Sequence, residues 1–203
     1  MAKPAWLTLT PSSGNGNGVI VNTATAHTGR VARTGTVTVQ GAGIAEASTY
    51  SVTQTPKAEF VSFDNGAEIS ATKVGGTLTI EGKTNATQLT FSLLEEGDLA
   101  IELPENYEAN GVTTANAAVI EGDPGANAEF AFSLQIVVPA NTTITEKTKT
   151  IKVDTTGGKT AQIRIVQAAG DPTLTISPKT ITIPQDGSAV NVNVTANCAW
   201  TAS

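Results

Sequence analysis

Few residues in this chain could do chemistry, and they do not gather. There is one histidine, His27, in the loop-like stretch TAHTGR, and one cysteine, Cys198. A zinc site or a Ser-His-Asp arrangement would need His27 beside cysteine or carboxylate partners at fixed spacing, and the sequence offers none. His27 therefore reads as a solvated loop residue. A nucleophilic cysteine needs a base and an electropositive setting. Cys198 sits near the end of a strand-like run between Asn197 and Trp200 and reads as a small buried hydrophobe. Glu95, Glu96, Asp98, Glu102 and Glu105 could supply paired carboxylates for glycoside hydrolysis or oxygens for calcium. Neither motif spacing is present, and EEGD reads as an exposed acidic loop. The run GNGNG (14–18) is glycine-rich but lacks the Lys-Ser/Thr and the helix of a phosphate cradle. The expectation is a protein that is not an enzyme, with no catalytic residues, no cofactor and no metal.

Composition points the same way. Charged residues make up 15% and hydrophobic ones 39% of the chain, with Thr, Asn, Ala and Gly filling the difference, a mixture suited to short strands with polar outer faces rather than to helices. The net charge of −6 argues against a nucleic-acid partner, which wants a basic patch. A lone cysteine permits no intramolecular disulfide, so the fold rests on its core. The N-terminal MAKPAWLTL has no long apolar stretch of the kind a secretory signal carries, and no run approaches the length of a membrane helix. The expected product is made in the cytoplasm and has no membrane partner.

The elements that must position these residues are strands. Period-two alternation marks 19–25, 36–40, 49–54, 77–82, 87–93, 130–138, 149–154, 161–167, 174–177, 181–183 and 190–196, with Gly, Asn and Pro clusters between them. Asn-Gly pairs at 15–16, 17–18, 65–66 and 110–111 predict tight turns. Only LLEEGDLAIELPENYEANG is mixed enough to hold a helical turn. The runs also repeat. TVTVQ…TYSVTQTP is echoed by KTIKVD…AQIRIVQAA, so that Gln54 corresponds to Gln167. The stretch from Phe60 to Ala86 is echoed by the stretch from Thr173 to Cys198, so that Asn85 corresponds to Asn197. The unit is about 110 residues, the size of an immunoglobulin-like sandwich. Residues 58–168 make one continuous copy. Residues 1–57 are the later part of a copy, residues 172–203 are the first strands of another, and 169–171 is a linker.

The two ends join into one pattern. A Gly187, a strand from Val190 to Asn197, and Trp200-Thr201-Ala202 lead across the termini into Trp6-Leu7-Thr8, Pro11 and Ser13-Gly14. Arg33, the strand Gly35 to Val39, and Val52-Thr53-Gln54 complete it. That composite resembles the BACON family, an immunoglobulin-like domain of gut bacteria and their phages; the middle copy lacks both tryptophans and resembles it only weakly. The resemblance implies an all-β fold of tandem antiparallel sandwiches, one of them composite. It places Trp6, Leu7, Leu9, Val37, Val39, Val52, Ile176, Ile183, Val190, Val192, Val194 and Trp200 in the composite core. The family name also implies carbohydrate binding, which uses exposed rings as platforms. Aromatic residues are only 4% of the chain, and most alternate with polar residues as core does. Tyr107, in PENYEANG, is the candidate for a glycan contact.

Two functions of different class follow. The first is a non-catalytic virion structural protein, a decoration, head-fibre or tail-associated component of a phage, whose partners are copies of itself and other virion proteins. The second is a carbohydrate-binding module of a glycan-utilisation system, with surface glycans as partners. For the first, the expected mechanism is strand exchange. A seven-stranded sandwich sends its two termini from opposite ends, about 40 Å apart. The connector 168–172 spans at most roughly 18 Å. The tail 172–203 is then expected to complete the first half-domain of a neighbouring chain, by donor-strand complementation.

Overall fold

The structure is a computed structural model and describes residues 3–122 and 129–203. Among these residues there is no helix; the chain is a succession of strands. Alternation of β-branched and aromatic residues with threonine is what a half-buried pleated surface selects.

The middle of the chain forms two facing sheets. One has the order β10 (Val112–Ala115), β9 (Asn106–Ala109), β11 (Phe130–Val138), β7 (Gly76–Thr84), β5 (Val61–Phe63); the other has the order β6 (Glu68–Ala71), β13 (Thr160–Gln167), β12 (Lys147–Thr155), β8 (Leu89–Leu93). The inward residues of both sheets interdigitate. Ile80, Leu89, Leu134, Ile136, Ile151, Val153, Ile163 and Ile165 are all at most 1% exposed. Edge-to-face rings extend this core, with Phe91 5.0 Å from Tyr107 and 5.8 Å from Phe132. Asn110 and Gly111 both have positive φ, as a two-residue type I′ hairpin requires, and they join β9 to β10.

Two expectations are corrected here. Not every pair is antiparallel: β6 runs parallel to β13, with Ile69 opposite Ile165 and Ala71 opposite Gln167. The chain leaves β5 in one sheet and crosses at once to the other, where it arrives alongside the last strand. The stretch from Leu94 to Glu105 holds no helical turn. Leu99, at 2% exposure, and Ile101, at 8%, instead point inward at every second residue, and the Leu99 amide bonds the Thr148 carbonyl at 3.0 Å.

Outside this sandwich lie three separate two-stranded ribbons. Residues 3–56 contribute β1 (Leu7–Thr10) with β2 (Val21–Ala24), and β3 (Arg33–Val39) with β4 (Ser48–Gln54); the tail contributes β14 (Leu174–Ser177) with β15 (Asn193–Ala196). The run 181–183, expected as a strand, is exposed and unpaired in the chain. Its backbone has no ladder neighbour there, so alternation alone does not make it a strand.

Candidate functional site: two open half-sandwiches

The first half-sandwich is organised around Arg33. Its guanidinium lies 4.8 Å over the Trp6 ring, a cation–π contact. It also donates from Nε to Gln54 Oε1 at 2.9 Å and to the Thr25 carbonyl at 2.9 Å. Gln54 Nε2 donates to the same carbonyl at 2.9 Å. One side chain thus ties β1, β3, β4 and the end of β2 together. Pro4 seals the ribbon by packing onto Gly35, where an added Cβ would meet Pro4 Cγ at 2.0 Å. Inward from this cluster Leu7 and Val37 are each 1% exposed. The remaining face is open.

The tail repeats, strand for strand, the opening of the middle sandwich. β5 pairs with the end of β7 through Val61 opposite Thr84 and Phe63 opposite Gly82. β14 pairs with β15 through Leu174 opposite Ala196 and Ile176 opposite Val194. Asn85 holds the first pair by donating to the Ala58 carbonyl at 3.0 Å and accepting from the Phe60 amide at 2.8 Å. Asn197 holds the second by donating to the Asp171 carbonyl at 2.9 Å and accepting from the Thr173 amide at 2.7 Å. The turns match as well. The Gly75 amide bonds the Thr72 carbonyl at 3.0 Å and the Gly187 amide bonds the Pro184 carbonyl at 2.9 Å, with φ of 74° and 75°. Asp186 accepts from the Ser188 side chain and amide in that second turn, which lowers its pKa.

Both halves are anchored to the middle sandwich, at opposite ends. Arg30 donates to the Ala86 carbonyl at 2.9 Å, the Ile120 carbonyl at 2.6 Å and the Gly122 carbonyl, beyond the Thr84 end of β7. The tail is held at the Gly76 end. There Asn197 also donates to the Thr142 carbonyl at 2.9 Å, Lys73 pairs with Asp171 at 2.6 Å, and the Asn141 amide bonds the Lys73 carbonyl. The nine residues of β7 separate the two ends by about 26 Å at the usual strand rise.

The proposed core residues consequently do not meet within one chain. Leu7 and Val37 are buried, and Trp6, Leu9, Val52 and Val194 are half-buried. Val39, Ile176, Ile183, Val190, Val192 and Trp200 are exposed, Trp200 by 52%. A filled composite core in a single copy is therefore corrected: the middle sandwich stands between its two parts. Met1 and Ala2 of the first half lie outside the described residues.

The glycan candidate is also corrected. Tyr107 is 3% exposed. It lies in β9, two residues from the inward Ala109, so strand alternation turns its ring into the core. Its hydroxyl is buried without a hydrogen-bond partner, and burial pushes its pKa up to about 12, with the nearby Leu89 backbone offsetting a little of the rise.

The other candidates are structural. His27 is half-buried rather than solvated, with Nε2 2.7 Å from the Val31 carbonyl. Cys198 is half-buried rather than fully so, its thiol 3.7 Å from the Thr173 carbonyl. Asp98 accepts from the Thr148 amide at 3.2 Å; it and Glu95, Glu96, Glu102 and Glu105 are exposed. Among the described residues no three His, Cys, Asp or Glu side chains stand together as a metal would need. Gly16 supplies a positive φ within the exposed 14–18 loop. Arg30 escaped notice in the sequence because an arginine in a loop carries no signal of its three distant carbonyl partners.

No protein-family model matches the chain, and no curated protein does. Solved structures give partial likenesses. A xyloglucanase of glycoside hydrolase family 5 from Bacteroides ovatus is 17% identical with a TM-score of 0.34, over 54% of this chain and 19% of that one. A Bacteroides thetaiotaomicron protein solved by NMR is 15% identical with a TM-score of 0.29, over 56% of this chain and 90% of that one. An endo-fucoidan hydrolase of glycoside hydrolase family 107 is 12% identical with a TM-score of 0.25, over 83% of this chain and 22% of that one.

Proposed function

We propose that this chain is a non-catalytic assembly protein of the BACON type, a virion decoration, head-fibre or tail-associated component whose copies are joined by strand exchange. The observation that carries the reading is the pair of open half-sandwiches held at opposite ends of a closed one. Each half has exposed apolar residues of the sort the other lacks: Val39 on one, and Ile181, Ile183 and Val192 on the other. A rigid body with complementary unfinished ends joins head to tail, through a heterologous contact. The test is multi-angle light scattering over a concentration series, followed by immunogold labelling of purified phage particles. The expected results are a mass that rises with concentration and label on the particle. A monomer at every concentration ends the assembly reading, and unlabelled particles end the virion assignment.

A second reading is kept by one observation. Trp200 is half exposed on the tail, where its ring could stack on a sugar face as in a carbohydrate-binding module. A glycan array decides it. A signal from the full chain that disappears in Trp200→Ala, with the chain monomeric, favours that module.

A further inference from the structure

We infer that the exchanged tail docks in the register that the middle sandwich uses internally, with a second copy of this chain supplying it. In that register residues 180–183 lie parallel to β4, with Ile181 opposite Val52 and Ile183 opposite Gln54. Residues 188–191 lie antiparallel to β2, with Ala189 opposite Thr23 and Asn191 opposite Val21. The inference rests on the strand-exchange reading and fixes what that reading leaves open, namely which residues meet.

The middle sandwich supplies the template. Its β6 and β13 place Ile69 opposite Ile165 and Ala71 opposite Gln167, and its β7 and β11 place Thr77 opposite Val137 and Thr79 opposite Gln135. Matched hydrogen bonds carry those pairs to the open halves. Gln167 donates to the Pro139 carbonyl at 2.6 Å, and Gln54 donates to the Thr25 carbonyl at 2.9 Å. This aligns β4 with β13 and the end of β2 with the end of β11. The Gly75 and Gly187 turns align 180–183 with β6 and 188–191 with the start of β7. The inward set is then coherent. Tyr50 and Val52 fall where Ile163 and Ile165 stand. Asn22 falls where Ile136 stands, and the polar change is matched within the half-sandwich, because the Tyr50 hydroxyl donates to Asn22 Oδ1 at 2.9 Å. Gln167 also donates to the Thr72 carbonyl at 3.3 Å. The equivalent acceptor for Gln54 is the Pro184 carbonyl of the incoming tail. A slip of one residue would turn Ile181 and Ile183 outward, because side chains alternate across a strand.

The joints then match. The Lys57 amide bonds the Gly29 carbonyl at 3.1 Å where the first half meets the middle sandwich, and the Gly170 amide bonds the Thr143 carbonyl at 2.7 Å where the middle sandwich meets the tail. These bonds occupy equivalent places in successive copies. Sandwiches completed between chains would follow one another with the spacing of those within a chain.

The register is tested by disulfide trapping in the full chain carrying Cys198→Ser. One variant adds Thr23→Cys and Ala189→Cys. A control adds Val21→Cys and Ala189→Cys, which are two residues out of register. Residues directly opposite in an antiparallel pair stand about 4.5–5.5 Å apart at Cα, within disulfide reach, and offset ones do not. Circular dichroism first establishes that each variant keeps its strands. The expected result is a ladder of covalent multimers on a non-reducing gel from the first variant and none from the control. If light scattering shows oligomers but the ladder comes from the control, or from neither, the register is wrong and strand exchange survives. Monomers without a ladder, or crosslinks confined within single chains, overturn both.

Discussion

The Arg30 guanidinium stands 5.1 Å over the Phe130 ring while donating to the Ala86 and Ile120 carbonyls. A residue of the first half-sandwich thus caps the core end of the middle one. Arg30→Ala would remove the charge-assisted hydrogen bonds and leave carbonyls without that partner, at a cost of about 1–3 kcal/mol to the middle sandwich. Urea unfolding followed by circular dichroism measures the loss. The connector around Lys57 should also become cleavable by protease, and a variant as stable and as resistant as the parent would show that the cap contributes nothing.

The centre of the middle sandwich should respond as a packed core. Ile163 is 0% exposed between the sheets, and Ile163→Ala is expected to cost about 2–5 kcal/mol. Both tryptophans, Trp6 and Trp200, lie outside this sandwich. Their fluorescence should therefore stay unchanged while circular dichroism reports the lower midpoint. Parallel changes in both signals would mean that the three parts unfold as one.

Tyr107 gives a pH signature. Its folded pKa of about 12 lies above the ordinary tyrosine value near 10. Below about pH 10 the ring is neutral in both states and stability is whole. As pH rises towards about 12 the unfolded chain ionises first, so stability falls through that window. Tyr107→Phe should abolish this part of the alkaline loss. Near neutral pH it should leave stability unchanged or raise it by up to about 1 kcal/mol, because the lost hydroxyl has no partner. Denaturation midpoints of both proteins at pH 8 and pH 11 check the sign.

Trp200 separates the isolated chain from the assembled one. At 52% exposure its truncation should cost under about 1 kcal/mol in a dilute monomer. In a joined row Trp200→Ala should weaken association by about 2 kcal/mol or more, the range of an interface anchor. Sedimentation of the two proteins over a concentration series measures this, and equal association would remove Trp200 from the contact.

The all-β sandwich architecture was legible because alternation and Asn-Gly turns are local properties, and Asn110-Gly111 forms the tight hairpin its residues predict. The matched pairs Gln54 and Gln167, and Asn85 and Asn197, were legible for a different reason: the same side chain recurs where the same backbone groups must be satisfied. Tyr107 was misread because a short strand between Pro104 and Asn110 looks like a loop until β11 supplies its ladder. The parallel pairing of β6 was hidden too, since two strands nearly a hundred residues apart leave no sign of direction. The contacts of Arg30 depend on carbonyl positions that no sequence period encodes.

The placement of the two open halves at either end of a stiff body has a consequence best put in the language of polymers. A molecule with two complementary ends can close on itself, and closure normally wins at low concentration because the ends see each other at a high effective concentration. A spacer that cannot bend reduces that effective concentration nearly to zero. The chain is then a bifunctional monomer without a cyclic by-product. Rows formed by strand exchange would lengthen by step growth, and their length would be set by supply and by whatever partner caps a free end.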